Sequence, residues 1–303
     1  MDSVLQTVDI SKHIKNKHIV SNVSINIEKG DIYGFIGENG AGKTTILRLV
    51  SGLIKRNSGT YRLFGIDASS KKIYTVKKRM SAIIEAPSLF MNLSAYNNLL
   101  IQCKILGIKD KTIIKDTLEM VGLGELYDDK KKVKNFSLGM RQSLGIAICL
   151  IGNPEFIMLD EPMNGLDPEG IIGVRNLILE LNKEKNITFI ISSHILSELS
   201  KVATKYGFIH KGVLLEELTQ EELSNKTAKK VIIKYDGNLE ENLLVDFGIN
   251  KFEMIDDILT IYDEIDVIDF GVKLKEKNIK ILKINQTEDD VEKYYLDLMG
   301  GIK

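Results

Sequence analysis

No stretch of this 303-residue sequence runs longer than nine residues without a polar or charged side chain, the longest being Leu144 to Gly152. A membrane-spanning helix needs about 20 apolar residues, so none is expected. Net charge is nearly absent as well: 41 basic and 42 acidic residues leave −1, which provides no field to collect DNA or RNA, and no nucleic-acid partner is expected. Cys103 and Cys149 are the only cysteines. They have no metal-ligand spacing and cannot staple a chain of this size, so a reducing cytoplasm is expected. The opening MDSVLQTVDI has an early acid and lacks the basic-then-apolar order of a secretory signal.

What is present reads as a folded α/β protein. Hydrophobic residues are 44% and charged residues 27%, ordinary for a globular chain, and no low-complexity tract or fixed-period repeat interrupts them. From Val4 to about Glu217, β-rich runs alternate with amphipathic segments. Ile32 to Ile36 and Phe156 to Leu159 are continuous apolar runs too short for ordinary helices, the pattern of strands buried on both faces of a parallel sheet. Between them, residues 92–150 are lysine-rich with helically spaced apolar residues (Leu99, Leu100, Cys103, Leu106; Ile113, Ile114, Met120), which predicts an inserted helical subdomain. After a polar stretch beyond Glu217, three strand-like runs (VIIKY, ILTIY and IKILKI) predict a small α+β domain. The expected division is 1–228 and 229–303.

The loop Gly37, Glu38, Asn39, Gly40, Ala41, Gly42, Lys43, Thr44 fits GxxxxGK[ST], follows the strand at Ile32 to Ile36 and precedes the helical pattern TTILRLVSG. That chemistry needs glycines so that backbone N–H groups can wrap a polyphosphate. It also needs a lysine at the β/γ-phosphates and a hydroxyl, Thr44, for magnesium. Thr45 completes the expected nucleotide-binding set. Asp160 and Glu161 follow the run at Phe156, at the edge where ligands of open α/β sheets sit. Asp160 can hold magnesium through water, and Glu161 can orient or deprotonate the attacking water. Acids in that position also serve as turn or cap residues; the phosphate loop is what favours catalysis.

With these motifs in hand, the chain resembles the ABC-type ATPases over most of Val4 to Glu217. Phe136-Ser137-Leu138-Gly139-Met140-Arg141-Gln142 is similar to the family signature, with Leu138 and Met140 replacing its usual Gly and Gln. The resemblance implies that Ser137 and Gly139 contact ATP bound by an opposite subunit, in a head-to-tail pair sandwiching two ATP molecules. On local grounds Ser137 is a helix N-cap, and both roles are compatible. Asn164-Gly165-Leu166-Asp167 matches the family's D-loop, with Pro168 at a first helical position. His194, 33 positions beyond Glu161, matches the switch histidine, which contacts γ-phosphate and water; a lone histidine is otherwise structural or solvated.

Two positions depart from the family. Glu85 stands where a magnesium-contacting glutamine is usual, and is read either as a harder oxygen ligand or as a solvated loop acid. Ile14 stands where an adenine-stacking tyrosine is common, with His13 as an alternative ring. Glu85 together with the SLGM-type signature resembles the subgroup serving bacitracin and lantibiotic exporters. Residues 286–295 resemble the closing helix of exporter ATPases. The resemblance implies an ABC-type P-loop NTPase with a helical subdomain and a C-terminal α+β domain. ATP and Mg2+ are the implied cofactors. The implied partners are a separate transmembrane permease and an identical or paired ATPase subunit, with the chain held at the inner face of the membrane. A non-transport ABC ATPase, or an ABC exporter of another substrate, is the alternative within the family; a P-loop kinase or GTPase is the alternative outside it.

Overall fold

The computed structural model describes residues 3–227, 230–263, 265–287 and 291–300. The chain divides into two compact units, Met1–Gln220 and Glu221–Lys303. Residues 228 and 229, where the sequence reading places its boundary, lie outside the described residues, as do 288–290 of the closing segment. Among the described residues no helix is long and apolar enough to cross a membrane.

The first unit is built on a six-stranded sheet in the order Val213–Thr219, Lys205–His210, Ile32–Ile36, Thr188–Ser193, Phe156–Asp160, Met80–Ile83. All neighbours are parallel except the first pair. Ile32–Ile36, Phe156–Asp160 and Thr188–Ser193 are buried at every residue. Continuous apolar runs satisfy both faces of such strands, as the sequence implies. A second sheet pairs Ser3–Ile14 antiparallel with Lys17–Val23, Asn26–Glu28 and Ser58–Leu63. Leu5, Ile10, Val23 and Ile27 from this sheet and Phe35, Ile46 and Val50 from the phosphate-loop strand and helix share one core cluster.

The stretch from 92 to 150 holds helices Ala95–Leu106, Thr112–Met120 and Leu138–Leu150. Ser94 caps the first of them by accepting from the Asn97 N–H, and Gly107 ends it in the left-handed conformation.

Between the helices Gln220–Lys226 and Val291–Gly300, the second unit runs strand, helix, strand, strand, helix, strand: Lys230–Asp236, Glu241–Asp246, Phe252–Ile255, Ile258–Ile261, Val267–Glu276, Lys280–Thr287. Its antiparallel sheet has Phe252–Ile255 and Lys280–Thr287 at the edges and Lys230–Asp236 beside Ile258–Ile261 in the middle. That is the ferredoxin-like arrangement. Phe252–Ile255, not among the three runs read from the sequence, is a four-residue edge strand with no buried residue.

Candidate active site

The phosphate loop leaves the buried strand Ile32–Ile36 and enters the helix Lys43–Ser51. Gly42 occupies the N-cap at φ 112°, where a β-carbon would also press on the Ile19 carbonyl oxygen at 3.0 Å. Having no side chain, Gly42 cannot cap the helix, and the first turn carries no acid. The helix's leading N–H groups and positive dipole end therefore remain available to an anion. At Gly37 a β-carbon would lie 2.5 Å from the Ile209 carbonyl oxygen, so the loop's first position accepts glycine alone without movement.

Parallel register brings the other motifs to the same edge, since Ile36 is level with Ser193, and Asp160 with Ser192. Thr44 Oγ1 donates to Asp160 Oδ2 at 2.8 Å, and Ser192 Oγ donates to Asp160 Oδ1 at 2.5 Å. Lys43 Nζ, 5% exposed, donates to the Gly37 carbonyl at 2.5 Å and lies 3.1 Å from Glu161 Oε1. The other oxygen of that carboxylate, Oε2, is 2.7 Å from His194 Nδ1 and 3.3 Å from the His194 backbone nitrogen, which donates to it. Lys43, Glu161 and His194 thus form one chain of contacts. Glu161 adopts φ 50°, a left-handed conformation costly for a branched-free but non-glycine residue, and its N–H is held by both the carbonyl and the hydroxyl of Ser192.

A hydroxyl and a carboxylate facing one another, Thr44 and Asp160, are the hard oxygen donors magnesium takes when phosphates supply most of its shell. The described residues contain no cluster of three or more His, Cys, Asp or Glu able to hold a metal. A magnesium shared with phosphates needs only one or two protein ligands, so the donor set fits.

Other expected residues lie elsewhere. Ser137 caps the helix Leu138–Leu150 by accepting from the Met140 N–H, and Gly139 approaches Gly170 rather than the phosphate loop. Asp167 caps the helix Pro168–Lys185 by accepting from the Gly170 N–H at 3.0 Å. Glu85, at φ 70°, is ion-paired with Arg48 Nη2 from the phosphate-loop helix, and so is engaged by a cation of this chain. Ile14 is 56% exposed near the tip of the first hairpin, where His13 and His18 pair across strands with ring centroids 5.9 Å apart.

Sequence reasoning missed Ser192 and Arg48. The signal for Ser192 was a pair of serines closing an otherwise apolar strand at the ligand edge; Arg48 gave none, because a basic residue near a helix end needs no partner.

A groove of about 540 Å3 is lined by the end of strand Met80–Ile83, the loop that follows it, and helices Ala95–Leu106 and Leu138–Leu150. Ile84, Pro87, Phe90, Ile101, Ile105 and Ile148 are among its lining residues. Phe90 and Ile105 are 53% and 71% exposed.

A glycine loop at a helix N-terminus, with a lysine, a hydroxyl and two acids at one sheet edge, defines a P-loop nucleotide hydrolase. The ABC transporter family matches residues 20–164. The chain is 42% identical to the bacitracin transport ATP-binding protein BcrA of Bacillus licheniformis, over 99% of both chains. It is 44% identical to the lantibiotic transport ATP-binding protein SrtF of Streptococcus pyogenes, over 71% of this chain and 90% of that one. In fold it resembles CbiO1 of Clostridium perfringens, part of the CbiONQ ABC transporter complex, with TM-score 0.67 and 23% identity over 75% of this chain and 92% of that one. The chain belongs to the ABC transporter family as an ATP-binding subunit, and it binds and hydrolyses ATP.

Proposed function

We propose that this chain is the motor of a transporter that moves a peptide antibiotic of the bacitracin or lantibiotic class away from the cell membrane, for resistance or self-immunity. The observation that carries the motor reading is the Lys43–Glu161–His194 chain beside Thr44 and Asp160. The antibiotic class rests on full-length identity with a bacitracin transport protein.

In this reading the backbone of Gly37, Glu38, Asn39, Gly40, Ala41 and Gly42 cradles the phosphates, and Lys43 places its charge at the β/γ-phosphates. Thr45, one residue into the helix beyond Thr44, lies beside the α-phosphate. Thr44 and Asp160 hold magnesium, which neutralises charge developing on the phosphates; Glu85 joins them only after leaving Arg48. Glu161 takes up or orients the proton of the attacking water, and His194 fixes the Glu161 carboxylate and faces the γ-phosphate. Ser137 and Gly139 serve the ATP of a second subunit, identical or paired. The subunit works on the cytoplasmic face of the membrane, held there by a separate permease. The apolar groove beside Phe90 and Ile105 supplies a surface for a permease helix.

Deleting the gene while leaving its permease intact should sensitise cells to bacitracin or to a lantibiotic. Unchanged sensitivity across a broad peptide panel would overturn the antibiotic assignment. Loss of ATP-driven phosphate release in wild-type protein reconstituted with its permease would overturn the motor itself.

A further inference from the structure

Ser192 is fully buried at the ligand edge of the central sheet, between the phosphate-loop strand and the strand bearing the two acids. A hydroxyl has one proton to give and two lone pairs to offer. The proton of Ser192 goes to Asp160 Oδ1 at 2.5 Å, and its oxygen accepts the Glu161 N–H at 3.0 Å. One side chain therefore touches both acids, one through its carboxylate and the other through its backbone.

We propose that Ser192 is a positioning residue for ATP hydrolysis, setting through a single hydroxyl both the orientation of the Asp160 carboxylate and the backbone turn that aims Glu161. The inference rests on the site roles proposed above. With Oδ1 held by Ser192, the Asp160 carboxylate is fixed in plane and presents Oδ2 to Thr44, the side on which magnesium is expected. Glu161 sits in a left-handed conformation that a glutamate does not favour, and its N–H is shared between the Ser192 hydroxyl and carbonyl. Removing the hydroxyl leaves a buried carboxylate oxygen unpaired and one of the two restraints on that turn gone. Groups that orient metal-holding side chains typically govern metal affinity or activity by about 10- to 100-fold.

The next residue makes a control. Ser193 is also buried, but its hydroxyl turns back on the Ile195 backbone, accepting from its N–H at 2.9 Å.

The test uses full-length Ser192→Ala, Ser192→Thr and Ser193→Ala. Mn2+ is titrated into each protein with ADP and the free ion counted by its paramagnetic resonance signal, alongside metal-free ADP binding, thermal melting and steady-state phosphate release. Ser192→Ala is expected to weaken nucleotide-dependent Mn2+ binding about tenfold and lower kcat, while metal-free ADP affinity stays unchanged. Ser192→Thr restores the hydroxyl and should recover the Mn2+ affinity; Ser193→Ala should match wild type. Wild-type Mn2+ affinity and kcat in Ser192→Ala would overturn the proposal. So would a lowered melting point with Mn2+ affinity unchanged, the mark of a merely structural serine. Failure of the wild-type protein to bind Mn2+ with ADP would instead overturn the site reading, and shows itself without any substitution.

Discussion

Glu161 divides one carboxylate between two partners, Oε1 toward Lys43 and Oε2 toward His194. An amide of the same size keeps the shape but cannot take a proton. Glu161→Gln is therefore expected to bind ATP and cut phosphate release by about 100-fold or more, the usual worth of a general base. Phosphate release and light scattering with ATP and magnesium check this, the slow variant accumulating as an ATP-dependent dimer. Gly37→Ala should fail earlier, at folding. Its methyl group would meet the Ile209 carbonyl at 2.5 Å, and denaturant titration should show a loss of about 1–3 kcal/mol. The phosphate loop and the two acids were legible in the sequence because their chemistry is local: a spacing of glycines, and a pair of acids closing an apolar run. The contact between Ser192 and Asp160 was not, because it joins residues 32 positions apart through strand register. The Arg48–Glu85 pair spans 37 positions and was hidden for the same reason.

The helix Leu138–Leu150 begins at Ser137 and buries Cys149 near its far end. Burial pushes that thiol up to about 12, so almost no thiolate exists at neutral pH. A thiol reagent such as a disulfide-forming dye should leave Cys149 unmodified in native protein and react fully only in denaturant; fast native labelling would contradict its burial. The same helix walls the apolar groove. Ile105, 71% exposed on its opposite wall, can carry a charge without a folding cost. Ile105→Asp should leave phosphate release of the isolated chain intact while lowering the amount of permease that co-purifies. Elements buried on both faces were legible, as Ile32–Ile36 and Phe156–Asp160 illustrate. The edge strand Phe252–Ile255 was not, since four half-exposed residues carry too weak an alternation to separate from a loop. Nor does a pattern of apolar residues state which strands pair, so the ferredoxin-like order became visible only from the register.

At the scale of the molecule, each unit has its own apolar core. Ile233, Leu244, Leu259, Ile261 and Leu274 form one entirely within residues 221–303. Every phosphate-loop, acid, signature and switch residue lies before Gln220. The alignment with the lantibiotic relative takes in 71% of this chain and 90% of that one. A chain ending after Gln220 is expected to retain ATP binding, measured by equilibrium titration with a labelled nucleotide; loss of binding in a folded fragment would assign the second unit a part in the site. The charge balance of the phosphate loop bears on what the whole molecule admits. Its lysine already stands 3.1 Å from a glutamate, so the loop is not an open positive well. Any visitor must displace a resident carboxylate before it reaches the ammonium. Chloride and free phosphate compete poorly on those terms, whereas a triphosphate brings several negative charges and a backbone cradle to hold them. The contact thereby favours visitors of high valence, and it is made by the residue proposed above to handle the water.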